Sequence, residues 1–333
     1  MPVSKSKRTK STKKPIKNVI SSKIEEIVNE FSKNIEAHVD DYGRKLGAML
    51  PPDKIYHYTN DAGLRGILET GKIWFTDIFN LNDPSELRYG MSPAIEMMET
   101  AGAVGSPATR QFCTNVVAML RGRIEDTANY FVCCFSHEPD DLGQWRAYAD
   151  NGRGYALGFD AHMLEQAFSK SLPGAGQTFP VNYKDEPLQE IHRKIVDDLI
   201  PMIDLPHENW FPRDAINDYM DEIAVNVCLP ILRSGLFFKH KAYANEQEYR
   251  FMQVLRSGAT CPDLKYRGRS HALIRYREFD WRVHAPDSLK VIRLGPAANK
   301  DTAREFVKSC LRAFHTSVSP LDIDPSTIPY RAS

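Results

Sequence analysis

Tyr130-Phe131-Val132-Cys133-Cys134-Phe135-Ser136 is apolar at every position but the last. An unbroken run of this length reads as a central strand, and a strand with no polar face needs cover on both sides. The chain supplies that cover. Further strands at Ile55–Thr59, Ile73–Thr76, Tyr155–Phe159, Glu246–Leu255, Leu273–Phe279 and Leu289–Leu294 are interleaved with amphipathic helical stretches. Phe179, Val181 and Tyr183 alternate as one more strand. The pattern is that of an α+β protein.

The helices have clear limits. Ile20, Ile24, Ile27, Phe31, Ile35, Val39, Tyr42 and Leu46 recur at three- and four-residue steps. This stripe either packs on the main domain or pairs with its copy in a dimer through residues 20–46, and Pro51-Pro52 ends it. Asn60 or Asp61 caps a helix with Leu64, Ile67 and Leu68 inward, and Gly71 stops it. Two further helices are expected around Ile95–Met98 and from Phe112 to Ile124. Asp140 and Asp141 cap a short one carrying Leu142, Trp145 and Tyr148 on one face. Residues 187–203 and 214–233 read as helices inserted between strands, and Thr302–Phe314 as the last. The organisation is a basic tail over 1–17, a helix over 18–50, and one α+β domain over 51–333 with an insertion at about 187–235.

With 333 residues and 42% hydrophobic content the chain can bury a sizeable core, and 43 basic against 43 acidic residues leave no net charge. Whole-chain charge therefore argues for neither nucleic acid nor membrane. Local charge is another matter. Lys5, Lys7, Arg8, Lys10, Lys13, Lys14 and Lys17 stand without an acid among residues 2–17. Such a segment should be disordered, serving as a solubilising tail or as a salt-sensitive arm for phosphates. Six scattered cysteines show no C-x-x-C pair, so a structural zinc site is not expected. No run approaches the roughly 20 apolar residues of a membrane helix, and no secretory signal is evident. The expectation is a reduced, cytoplasmic protein without a bound metal.

Three polar groupings carry the functional argument. His57 and Thr59 share one face of a strand that runs straight into a helix. Asn82, Asp83 and Glu86 cluster around an Asn-Asp-Pro turn, a setting for a solvated turn or for a ligand loop. Glu246, Glu248 and Arg250 fall on one side of a strand, opposite Gln247, Tyr249 and Phe251. An isolated cluster of this kind is more often an internal ion pair than a site.

Taken in order, His57-Tyr58-Thr59, Leu81-Asn82-Asp83-Pro84-x-Glu86, Cys134-Phe135-Ser136 with Trp145 and Tyr148, Glu246-x-Glu248-Tyr249-Arg250 and Ile328-Pro329-Tyr330-Arg331 resemble a widespread bacterial family of unknown function. The resemblance covers roughly residues 53–332. That family is distantly similar to ADP-ribosyltransferases, above all to DNA-modifying toxins with a His-x-Thr first strand. The similarity implies a split, bent β-sheet with flanking helices and a cleft for NAD, used as substrate. It implies that His57 and Thr59 contact the adenine-side ribose, that Ser136 or Tyr148 shelters the nicotinamide, and that Glu248 bonds the nicotinamide-side ribose. Glu246 would position or deprotonate the acceptor, and Arg250 or Arg88 would balance the pyrophosphate. His57 and Glu248 are then expected to face one cleft. The function so implied is transfer of ADP-ribose to a macromolecular acceptor, nucleic acid or protein, in a toxin or phage-defence setting. The alternative is a non-catalytic nucleotide- or nucleic-acid-binding module. A hydrolase using His57 with Asp83 or Glu86 lacks an accompanying nucleophile or metal set.

Overall fold

A computed structural model of the chain describes residues 22–49, 51–81, 84–122, 129–172, 176–203, 216–255, 263–269, 271–314 and 321–331. The basic stretch 1–17, Asn82, Asp83 and residues 204–215 lie outside these described residues. The chain runs α1 (Ser22–Gly47), β1 (Lys54–Thr59), α2 (Asp61–Thr70), β2 (Lys72–Asp77), α3 (Pro84–Val104) and α4 (Pro107–Arg121). It continues with β3 (Asn129–Ser136), α5 (Leu142–Tyr148), β4 (Tyr155–Asp160), α6 (Ala161–Ser171), β5 (Gly176–Pro180), α7 (Asp185–Ile203) and α8 (Ile216–Gly235). The last described elements are β6 (Glu248–Leu255), β7 (Lys265–Arg269), β8 (Ala272–Asp280), α9 (Trp281–His284), β9 (Leu289–Leu294), α10 (Lys300–Phe314) and β10 (Asp322–Pro325). The protein is α+β.

All these strands join one sheet in the order β10-β9-β4-β1-β3-β2-β8-β7, with β6 also on β3 and β5 beyond β6. Neighbours are antiparallel except β10 and β9. The Tyr130 run is the strand where the sheet divides. Along one edge β3 pairs with β6 from Asn129 to Ser136. Its other edge meets β2 at Phe131 and Val132 and β1 at Ser136. Residues 133–135 face the gap between those two branches.

Both faces of β3 are covered, as its composition demands. Val132 and Met252 pack under α1, α3, α4, α7 and α8. Cys133, Phe135, Tyr249 and Phe251 pack on the opposite side against Leu64 of α2, Phe168 of α6, Trp281 of α9 and Val307 of α10. A smaller cluster joins Tyr56, Tyr58, Ala156 and Val291 to Trp145 of α5 and to Ile328. The α1 stripe (Phe31, Ile35, Val39 and Leu46) is buried within the chain's own core. Asn60 is the residue that caps α2, its side chain accepting from the Gly63 backbone N–H at 2.9 Å, and Gly71 ends that helix at φ 69°.

Several local expectations change. The helix expected around Ile95 begins eleven residues earlier, at Pro84, and runs through Pro93. Pro93 has no N–H for the Tyr89 carbonyl, and the Ser92 hydroxyl donates to that oxygen instead at 3.0 Å. Glu86 is therefore a first-turn helical residue rather than part of a loop. Of the alternating trio Phe179, Val181 and Tyr183, only Phe179 lies within β5. β7 and β10 are additions to the expected strands.

α3 crosses α8 where Gly90 meets Gly235. A Cβ on Gly90 would lie 2.7 Å from the Gly235 carbonyl oxygen, so the two backbones touch as no other residue would allow. This contact seats the N-terminal turn of α3, with Glu86, against the start of β6. Gly90→Ala should force the helices apart and destabilise the fold by about 1–3 kcal/mol. A thermal melt unchanged from wild type would show that the crossing is slack.

Candidate functional site

A cavity of about 310 Å³ opens at the gap in the sheet. Val132, Cys133, Cys134 and Phe135 form its floor, the last three reachable because that edge of β3 carries neither β1 nor β2 there. Tyr56, His57 and Tyr58 line it from β1, and Trp74, Thr76 and Arg267 from the β2–β8–β7 branch. Gln144 and Tyr148 of α5 and Tyr243 stand at another wall, and Glu86, Lys239, Glu246 and Glu248 bring the charges. The cavity sits at the lower end of the size range of small-molecule sites.

His57 and Glu248 both line this cleft, but not from one side of the sheet. Glu248 opposes Ser136, and Ser136 opposes Tyr56, so Glu248 shares its face with Tyr56 and Tyr58. His57 points to the other face, its ring edge-on to Phe135 at 5.7 Å. The split, which exposes successive residues of β3, is what lets both reach one opening from opposite faces. The His57 Nδ1 lies 3.4 Å from the Cys134 carbonyl oxygen, serving that unpaired strand edge as donor. Burial pushes the imidazole pKa down, with the carbonyl opposing. At neutral pH the ring is neutral and its Nε2 is a hydrogen-bond acceptor.

The carboxylates converge by a turn rather than by strand alternation. β6 starts at Glu248, and Glu246 ends a 3-10 turn, Lys241–Glu246. Gln247 joins them at φ 40°, a left-handed conformation that costs a non-glycine residue on the order of 1 kcal/mol. Its side chain donates to Glu138 Oε1 at 2.7 Å, and His137 N donates to its carbonyl at 2.9 Å. This kink brings both neighbouring glutamates onto Lys239, whose Nζ lies 2.5 Å from Glu246 Oε2, 3.0 Å from Glu248 Oε2 and 3.7 Å from Glu86 Oε2.

Beneath them Arg250 is 1% exposed. Its Nε donates to Glu248 Oε1 at 2.5 Å, one terminal nitrogen reaches the Leu236 carbonyl at 2.8 Å, and the other bonds both Glu86 and Glu248. Three carboxylates thus share two cations. Burial alone would raise the Glu248 pKa, but Arg250 and Lys239 reverse that and hold it well below the usual carboxylate range. Burial pushes Glu246 the other way, upward, with Glu248 and Glu86 adding to it against Lys239. Lys239 would be discharged by burial but is kept an ammonium by its three neighbours. The arrangement offers one fixed negative charge, on Glu248, and a second carboxyl, on Glu246, that takes up a proton more readily.

The remaining residues singled out in the sequence fall in different places. Tyr148 lines the cleft, 40% exposed. Ser136 does not, because its hydroxyl donates to the Glu246 carbonyl at 2.6 Å and accepts from Glu138 N at 3.0 Å. Thr59 turns to α2, its hydroxyl occupying the space a Cβ on Gly63 would need. Arg88 is exposed on α3 and is not among the lining residues. Sequence reasoning missed Lys239 and Arg267. A lysine directly after Phe237-Phe238 was the available signal for the first, since a charge in so apolar a setting needs partners.

The α5 wall is held from a distance. Asp140 accepts from Trp145 Nε1 at 2.7 Å and from Ser326 Oγ at 2.6 Å, and its other oxygen accepts from Thr327 N at 2.8 Å. Tyr58 donates to the Glu138 carbonyl at 2.7 Å and accepts from Asp141 N at 3.2 Å. Tyr330 donates to Asn151 at 2.7 Å, just past the helix. Residues 326–330 therefore clasp the helix that carries Gln144 and Tyr148.

Fold and site together define an α+β protein with a charged, aromatic-walled cleft at a split in its sheet. Residues 144–251 match the family described as Protein of unknown function (DUF2971). That span takes in Gln144, Tyr148, Lys239, Glu246, Glu248 and Arg250. No curated protein and no solved structure matches the chain. Among the described residues no helix is long and apolar enough to cross a membrane, and no group of three or more His, Cys, Asp and Glu side chains is placed to hold a metal ion.

Proposed function

We propose that the cleft binds NAD and that the protein transfers ADP-ribose to a macromolecular acceptor. The observation that carries this reading is the meeting of His57, Glu246 and Glu248 at one opening in a split sheet. Breaking the bond between ribose and nicotinamide sends the electron pair to the departing ring and leaves positive charge on the sugar. Nicotinamide leaves neutral, so the ring's positive charge has moved to the ribose, and a fixed, ionised Glu248 favours that arrangement over the ground state without reorganising as it forms. Glu246 takes the proton from the attacking acceptor as the new bond to the ribosyl carbon closes. Neutral His57 accepts a hydrogen bond from a ribose hydroxyl through Nε2. Tyr148, rather than Ser136, covers the nicotinamide. A toxin or defence setting rests on family resemblance alone.

One observation favours a second reading, a binding module without catalysis: both oxygens of Glu248 are already engaged by Arg250 and Lys239. The two separate on incubating purified protein with labelled NAD and cell extract. The transferase reading expects labelled macromolecules or released nicotinamide, lost in the Glu246→Gln and His57→Ala proteins. Intact NAD and no label with wild type, alongside NAD binding that survives Glu248→Gln, would leave the binding module instead.

A further inference from the structure

Among the described residues, Lys239 and Arg267 are the cations that line the cleft, and they stand on opposite walls. Lys239 lies within 4 Å of three carboxylates, and Arg250 behind it spends its guanidinium on Glu248, Glu86 and the Leu236 carbonyl. An incoming phosphate would meet net negative charge there. On the other wall, Arg267 reaches from β7 across β8 to donate to Thr76 Oγ1 of β2 at 3.3 Å. Its guanidinium carbon sits 5.2 Å from the ring centre of Trp74. Trp74 in turn lies 4.6 Å from Tyr276 and is 43% exposed, although it sits on a well-paired strand. An indole left open beside a guanidinium, at the edge of a cavity, offers a stacking surface and an anion contact together.

The spacing agrees with the charge. Thr76 pairs with Val132 and Glu248 with Ser136, four residues apart on β3. At the rise of a strand this is about 13 Å. A ribosyl diphosphate spans such a length and a single sugar does not. His57 stands between the two ends, opposite Phe135 by the same register.

We propose that Arg267, Trp74 and Tyr276 form the subsite for the phosphate-and-base half of a nucleoside diphosphate, with Arg267 on the phosphates and the base on Trp74. This rests on reading the cleft as a nucleotide site. It replaces Arg250 and Arg88 as the groups that meet the pyrophosphate. A guanidinium is the fitting cation, because its planar fork bonds phosphate oxygens while its face rests on an indole.

Calorimetric titration with ADP, ADP-ribose, nicotinamide and a short oligothymidylate tests the assignment on the full chain. Wild type should bind ADP and ADP-ribose, and Trp74→Leu and Arg267→Gln should each weaken both by about tenfold or more. Nicotinamide binding should be the same in all three proteins. Both positions are at the surface of the sheet, and a thermal melt within a degree or two of wild type would certify the variants' fold. ADP bound equally well by both variants, no heat with ADP at millimolar concentration, or an oligothymidylate bound through these residues in place of ADP would each overturn the subsite. The two readings also fail separately. ADP bound through Trp74 and Arg267 with NAD left intact keeps the subsite and removes the transferase. NAD cleaved by both variants with unchanged KM keeps the transferase and removes the subsite.

Discussion

Replacing Arg250 by methionine will lower the unfolding free energy by about 3–5 kcal/mol, the usual result of removing one partner from a buried ion pair. The methionine fills much of the same space but leaves Glu248, 4% exposed, with Lys239 as its remaining cation, and leaves Glu86 and the Leu236 carbonyl without their donor. Lysine should rescue little, because a single ammonium cannot serve two carboxylates and a carbonyl in different directions. The pH dependence gives an internal check. Glu248 titrates in the folded state below its ordinary value of 4.5, so its contribution is complete above that value and is lost as pH falls through the folded one. Denaturant titrations should show the methionine variant's deficit at pH 7 and its narrowing as pH falls from 4.5 towards the lower folded-state value of Glu248. A deficit under about 1 kcal/mol at neutral pH would mean that water, not Arg250, satisfies the cluster.

On the transferase reading proposed above, Glu246→Gln should lower acceptor modification by roughly 10²–10⁴-fold, the range for loss of a general base, while the fold stays intact. Glu246 lies on a turn and is coupled chiefly to Lys239, which retains Glu248 and Glu86. The wild-type rate should fall on the acid side at a pH above that of an ordinary glutamate, because burial and the neighbouring carboxylates raise the Glu246 pKa and the base must be ionised to act. The acid limb should vanish in the glutamine variant. A full rate in the Glu246→Gln protein, or an unchanged acid limb, would assign proton removal elsewhere.

What could be read in advance follows from how local each signal is. The apolar Tyr130 run declared a strand covered twice, and the Asn60-Asp61 pair with Gly71 marked a helix by chemistry confined to a few residues. His57, Glu246 and Glu248 could be nominated because polar groups at strand ends are conspicuous, and Tyr148 of α5 only through the family resemblance. Their geometry could not. That His57 and Glu248 leave opposite faces depends on β3 accepting β1 at one residue and β2 at two, a matter of register between segments far apart in the chain. Gln247 carries no mark of its left-handed backbone, which is why alternation alone puts Glu246 on the strand. Arg267 lies in Lys-Tyr-Arg-Gly-Arg, too polar to announce a strand, and its value comes from the tryptophan it crosses β8 to reach.

The clasp at Asp140 has a consequence for how the site opens. α5 has seven residues, too few to persist alone in water, and the hydrogen bond from Ser326 to Asp140 spans 186 positions of sequence. The wall bearing Gln144 and Tyr148, held by a handful of partly exposed bonds, is then among the first parts of the cleft to open in the native protein. A chain whose core around β3 stays intact could still lose its hold on a ligand there.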